Sequence, residues 1–139
     1  MTIDLGSVNW LAVLVSTVAT FMVGGMWYGA IFAKKWVTVH GFSEEVVASM
    51  AKKQGRNFGI FLVADFIMAV ILSLVIVNLN VTSAVQGAGL GVLLWVGILM
   101  TQTAGRNAAF DKPLNAFMIE TGHELAVMLV MGAILGGWR

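Results

Sequence analysis

The 139-residue chain is 59% hydrophobic and only 11% charged, with a mean hydropathy of +0.91. Water-soluble domains carry about a quarter charged residues, so this balance excludes one. A formal net charge of +1, with no basic stripe to neutralise phosphates, excludes a nucleic-acid binder, and the absence of cysteine removes disulfides and thiol chemistry.

Several apolar runs reach roughly 20 residues, the length that crosses a bilayer as a helix. The expectation is an all-α membrane protein in one domain, residues 1–139. It has four transmembrane helices, at about 8–32, 57–77, 84–103 and 113–138, and a short amphipathic helix between the first and second. The N-terminus carries Asp4 where a signal peptide has basic residues, and its apolar run outlasts a cleavable segment. A retained span is expected.

In the first span, Ser16, Thr17 and Thr20 can bond back to carbonyls one turn earlier, which suits a buried helix. Trp10 and Trp36 bracket it as interfacial aromatics. Gly25 and Gly29 permit close approach by another helix, and Trp27 and Tyr28 lie near its end. The polar stretch 34–56 holds a helix start: Ser43 is placed to cap it, with Glu44 and Glu45 at the positive end of the dipole. Val46, Val47 and Met50 make an apolar face suited to a membrane surface, and Gly55 is placed to end the helix.

The second span contains Asp65, which is costly in hydrocarbon unless paired, protonated or wetted. In the third, Gly87 and Gly91 form a small-xxx-small face. The surrounding Gly-Ala-Gly-Leu-Gly follows no strand, so it is no dinucleotide loop. Thr101, Gln102 and Thr103 close this span, Arg106 follows in the link, and Pro113 is placed to start the last helix. The fourth span carries Glu120-Thr-Gly-His123-Glu124, whose ionisable residues lie one turn apart on one face. Gly132 and Gly136 follow, with Trp138 and Arg139 at the far interface.

Four spans put Lys34, Lys35, Lys52, Lys53, Arg56, Arg106 and Lys112 on one side and Arg139 on the other. The positive-inside rule makes the first side cytoplasmic and both termini periplasmic. Asp65, Glu120, His123 and Glu124 then lie at similar depth in the cytoplasmic half, with Trp27, Tyr28, Gln102 and Arg106 nearby. Such a cluster suits a proton, cation or small-solute site. Glu-x-x-His also occurs in di-metal bundles, so Glu120, His123 and Glu124 are the ligands if a metal binds. No cofactor is required by the sequence. The other reading is structural: buried ion pairs fix helix register in a scaffold or accessory subunit of a larger membrane complex. Catalysis has little support, since no second His of a zinc-protease helix, serine elbow or phosphate loop is present. The glycine faces outnumber what one small bundle needs, so a homo-oligomer, most simply a dimer, is expected.

Asn9-Trp-Leu-Ala-Val-Leu-Val, Met26-Trp27-Tyr28-Gly29 and Gly132-Ala-Ile-Leu-Gly-Gly-Trp138 resemble the bacterial family called domain of unknown function 1761. The resemblance covers nearly the whole chain. It implies a small inner-membrane protein of four spans and supplies no activity, substrate or catalytic residue.

Overall fold

Asn9 opens the first long helix, its side-chain oxygen accepting from the Ala12 amide, and α1 runs over Trp10–Met26. The computed structural model describes residues 3–138, and Arg139 lies outside them. Beyond Met26 the helix widens into a π-turn, Trp27–Ile31. There the Phe32 amide reaches five residues back to the Trp27 carbonyl, at 2.8 Å. Phe32 is non-helical (φ −115°, ψ 7°), and α2, Ala33–His40, restarts beyond it. Gly41, at φ +64°, ends α2 in a left-handed conformation that a side chain disfavours.

Ser43 then caps α3, Glu44–Lys52, by accepting from the Val46 amide. Gly55 does not end this helix as expected. Lys53 does, and Gly55 falls in the first turn of α4, Gln54–Asn78. The helix α2 is an addition to the expected elements, since its mixed polar sequence carries no apolar run to announce it.

The third long rod is α5, Ala84–Leu94, a second π-stretch, Trp95–Met100, and α6, Thr101–Ala109. It continues six residues past the expected end at 103. The polar residues that close the apolar run in sequence stay helical because Thr103 and Asn107, four apart, turn their side chains into the bundle. After Pro113, α7 covers Leu114–Gly137.

Four helices, Trp10–Ile31, Gln54–Asn78, Ala84–Ala109 and Leu114–Gly137, are long and apolar enough to cross a membrane. Among the described residues there is no strand. The protein is thus an all-α, membrane-type bundle. Its helices alternate in direction. The Asn9 amide donates to the Trp138 carbonyl (3.2 Å) at one end, and Trp27 donates to Ile119 at the other. The most buried span is α7, which packs against α1, α4, α5, α6 and α2. Val13, Ala69 and Met131 are fully enclosed. Ser16, Thr17 and Thr20 back-bond to the carbonyls of Val13, Ser16 and Thr17, so these buried hydroxyls are satisfied inside α1. Leu14, Val18, Met22, Ile60, Val63, Ile67, Val85 and Leu93 face outward. An apolar exterior of this kind suits lipid rather than water.

The contact between α5 and α7 is backbone on backbone. A Cβ at Gly87 would fall on the Gly132 carbonyl oxygen, one at Gly91 on the Met128 carbonyl, and one at Gly136 against Gly87 and Ser83. Gly87, Gly91, Gly132 and Gly136 therefore do their packing within the chain, where close approach supplies the dispersion that holds apolar helices together in lipid. Gly25 and Gly29 differ: among the described residues nothing lies within 4 Å of a Cβ at either position. They sit on an open face of the first span.

Candidate functional site

Pro113 starts α7 just after the link residue Lys112, so the first turns of α7 share a level with the end of α6 and with α2. Glu120 lies in this layer. Its Oε1 contacts His40 Nε2 at 2.8 Å and accepts from Lys112 Nζ at 3.3 Å. Its Oε2 lies 4.0 Å from Arg106. One turn on, Glu124 Oε1 accepts from the Thr103 hydroxyl at 2.5 Å and lies 4.0 Å from the same Arg106 nitrogen, which also donates to Thr103 at 3.3 Å. Glu120 and Glu124 thus form one network through Arg106.

The pairing follows from helix geometry. Thr103 and Asn107 are four apart on α6, and Glu120 and Glu124 are four apart on α7. The two helices run antiparallel, so Thr103 meets Glu124 and Asn107 is placed opposite Glu120. Glu120 Oε2, Glu124 Oε2 and both polar atoms of the Asn107 side chain are buried with no hydrogen-bond partner among the described residues. Asn107 itself is 6% exposed.

His40 fixes the proton content of its contact. Its Nδ1 lies 2.8 Å from the Trp36 carbonyl oxygen. A carbonyl only accepts, so Nδ1 carries the hydrogen. A neutral ring then presents a lone pair at Nε2, and a carboxylate oxygen presents lone pairs too. At 2.8 Å one proton must lie between them, on the imidazole as His⁺ against Glu⁻ or on a neutral Glu against neutral His.

His123 points elsewhere. Its ring lies beside Tyr28 and Trp27, with centroids 4.9 and 6.2 Å away. A Cβ at Gly24 would sit 3.3 Å from its Nε2, and one at Gly122 3.1 Å from the Trp27 ring. Each of these glycines makes room for the other helix's ring. Its Nε2 is also buried without a partner among the described residues. Trp27 and Trp95, the residues that open the two π-stretches, donate their indole N–H groups to the Ile119 and Thr121 carbonyls at 3.0 and 2.9 Å. π-Bulges of this kind cluster at functional sites.

Asp65 is not drawn into the network. Its Oδ2 lies 3.3 Å from the Thr20 hydroxyl on α1, whose single proton is shared with the Ser16 and Thr17 carbonyls. It makes no hydrogen bond or ion pair with Glu120, His123 or Glu124. Thr20 precedes Gly24 by one turn, so Asp65 lies about 6 Å farther from the links than His123. Gln102 lies on the exposed side of α6. Among the described residues, no three His, Cys, Asp or Glu side chains are grouped so as to hold a metal ion. Glu120, His123 and Glu124 share a helix stretch, but α2, α1 and α6 each take one of them. Trp36 also turns inward, against His40 and Tyr28.

His40, Lys112 and Thr103 are network members that the sequence analysis did not single out for the site. His40, one of only two histidines in the chain, was the available signal: an imidazole close to an apolar segment needs a partner. Comparison with curated proteins returned no match, and comparison with solved structures returned none. The family profile described as "Protein of unknown function (DUF1761)" matches residues 11–136, nearly the whole chain, and the chain belongs to that family.

Proposed function

We propose that this protein binds and transfers a proton through the Glu120–Glu124 network, in the cytoplasmic half of a bacterial inner membrane, with both termini periplasmic. The observation that carries this reading is the His40–Glu120 contact, which needs one proton to exist. It is joined through Arg106 to a second carboxylate, Glu124, one turn farther into the span. A proton needs no cavity. The apolar groove of about 370 Å³ between α4 and α5, lined by Met68, Leu72, Leu94 and Met128 among others, includes no network residue. Fixed cations beside both acids argue against a metal cation as the cargo. The open Gly25–Gly29 face supports pairing with a second copy.

The test is reconstitution in liposomes with a pH-sensitive dye inside. The wild type is expected to dissipate an imposed gradient. Glu120→Gln and Glu124→Gln are expected to slow it by about a hundredfold, the lower end of what a positioned proton-transfer group contributes. Asp65→Asn, outside the network, is expected to retain the flux. Wild-type flux no faster than in protein-free liposomes overturns the proposal.

A scaffold role is the second reading, and one observation favours it. The two acids are matched by two permanent cations, Arg106 and Lys112, an arrangement that also fixes helix register without any transfer. In that case the same substitutions change melting temperature or assembly, and flux is absent throughout.

A further inference from the structure

The helix α2 lies over the link end of the network, and among the described residues its only charged-group tie to the bundle is His40 on Glu120. The His40 side chain is 5% exposed although α2 itself is a short helix outside the long spans. Both ends of α2 are joints. Phe32 interrupts the helical path from the π-turn, and Gly41 is left-handed. The rest of its partly buried surface is apolar or aromatic: Ala33, Val37, Val39 and Trp36. Trp36 lies against His40, Phe42 and Tyr28, and His40 stacks on Phe42 with centroids 5.1 Å apart. These ring contacts persist in either protonation state, since a charged imidazole still packs on an aromatic face. The His40–Glu120 contact does not persist in both.

We propose that α2 is a proton-latched lid over the Glu120–Glu124 network, with His40 as the residue through which protons pass between the cytoplasmic side and Glu120. The inference rests on the proton-transfer reading and adds the access step. With one proton shared, His40 holds α2 down on α7. When that proton leaves, Nε2 and Oε1 face each other with lone pairs only, and the contact turns repulsive. Glu120 keeps Lys112 and, at 4.0 Å, Arg106 as counter-charges. Both belong to the α6–α7 side, so the carboxylate stays with the bundle while α2 is released. The other ionisable groups around this layer are Glu124 on α7, which shares Arg106; Tyr28 on the π-turn and His123 on α7, in ring contact with each other; and Lys34 and Lys35 on α2 itself. None of them bridges α2 to Glu120. The sign follows: the lid is closed at low pH and opens as pH rises.

The chain has no cysteine, so a spin-label pair can be placed cleanly at Thr38→Cys on α2 and Asn115→Cys at the start of α7, both exposed positions. The distance between labels is measured in nanodiscs at stepped values from about pH 5 to about pH 8. With the native His40 and Glu120, the distance is expected to lengthen by about 5 Å, half a helix diameter, as pH rises. In Glu120→Gln the amide donates to a neutral imidazole or accepts from a charged one. In His40→Gln the amide donates to the carboxylate at every pH. Both variants are expected to stay closed throughout, which a loss of folding could not mimic. A pH-independent distance with both native residues present, or a Glu120→Gln variant that opens as they do, overturns the lid. Label motion without liposome flux sinks the proton-transfer reading and keeps the lid; flux without label motion does the reverse.

Discussion

The contact between the third rod and α7 has two halves held together in opposite ways. Toward the termini, Gly87, Gly91, Gly132 and Gly136 bring backbone onto backbone, and the contact has no spare space. Toward the links, the same two rods meet through Thr103, Arg106, Glu120 and Glu124, with buried polar atoms still unpaired among the described residues. The first half resists change because any added atom strikes a carbonyl. The second depends on where protons and charges reside. A rigid seam beside an adjustable polar end lets one end change while the bundle stays assembled.

The largest effect should come from filling the seam. Gly87→Val or Gly132→Val drives a branched side chain into an opposing carbonyl and is expected to cost about 3 kcal/mol, the top of the overpacking range. Thermal unfolding in detergent checks it, and a melt like the wild type's would mean the two rods are not in backbone contact. At the polar end, Glu120→Ala leaves His40 and Lys112 facing a buried gap. About 3 kcal/mol is the ordinary cost of breaking such a pair, reduced toward about 2 because Lys112 is partly exposed. Its melt should therefore fall between those of the seam variants and the wild type.

The next effect sharpens the boundary between the halves. Trp27→Phe and Trp95→Phe each keep the ring and lose one interhelical hydrogen bond, expected to cost about 1 kcal/mol apiece. Tryptophan fluorescence of the remaining residues gives an independent measure of local packing. Smallest of all, Gly25→Ala and Gly29→Ala meet nothing among the described residues. They should raise the melting temperature slightly, by the helix preference of alanine, about 1 kcal/mol at most. If cross-linking shows a dimer that these changes weaken, that open face is where two copies meet.

Particular residues show what a one-dimensional reading can reach. Ser16, Thr17 and Thr20 were legible as internally satisfied because a hydroxyl finds a carbonyl one turn back whatever the surroundings. The Ser43 cap was legible for the same reason. That Arg106 comes near the level of Glu120 and Glu124 was legible from depth, but which acid it would serve was not. The parting of His123 from its neighbours could not: three residues on one turn span a wide arc, and α1, α2 and α6 each claim a different part of it. Nor could depth place Asp65, because two residues at similar distance from a membrane face can lie on different seams of the bundle. His40 escaped notice because α2 has no apolar periodicity of its own and is folded back by the joint at Phe32.

By itself, the sequence determined that the chain forms long apolar helices with most of the ionisable groups toward one end, since hydropathy and length decide those features residue by residue. Only the tertiary structure decided which glycines are spent inside the bundle, that Asp65 pairs with Thr20, and that His40 closes on Glu120. Those outcomes depend on the rotation of each helix about its axis and on where a broken helix turns. Packing against neighbours sets both, and no local stretch of residues encodes either.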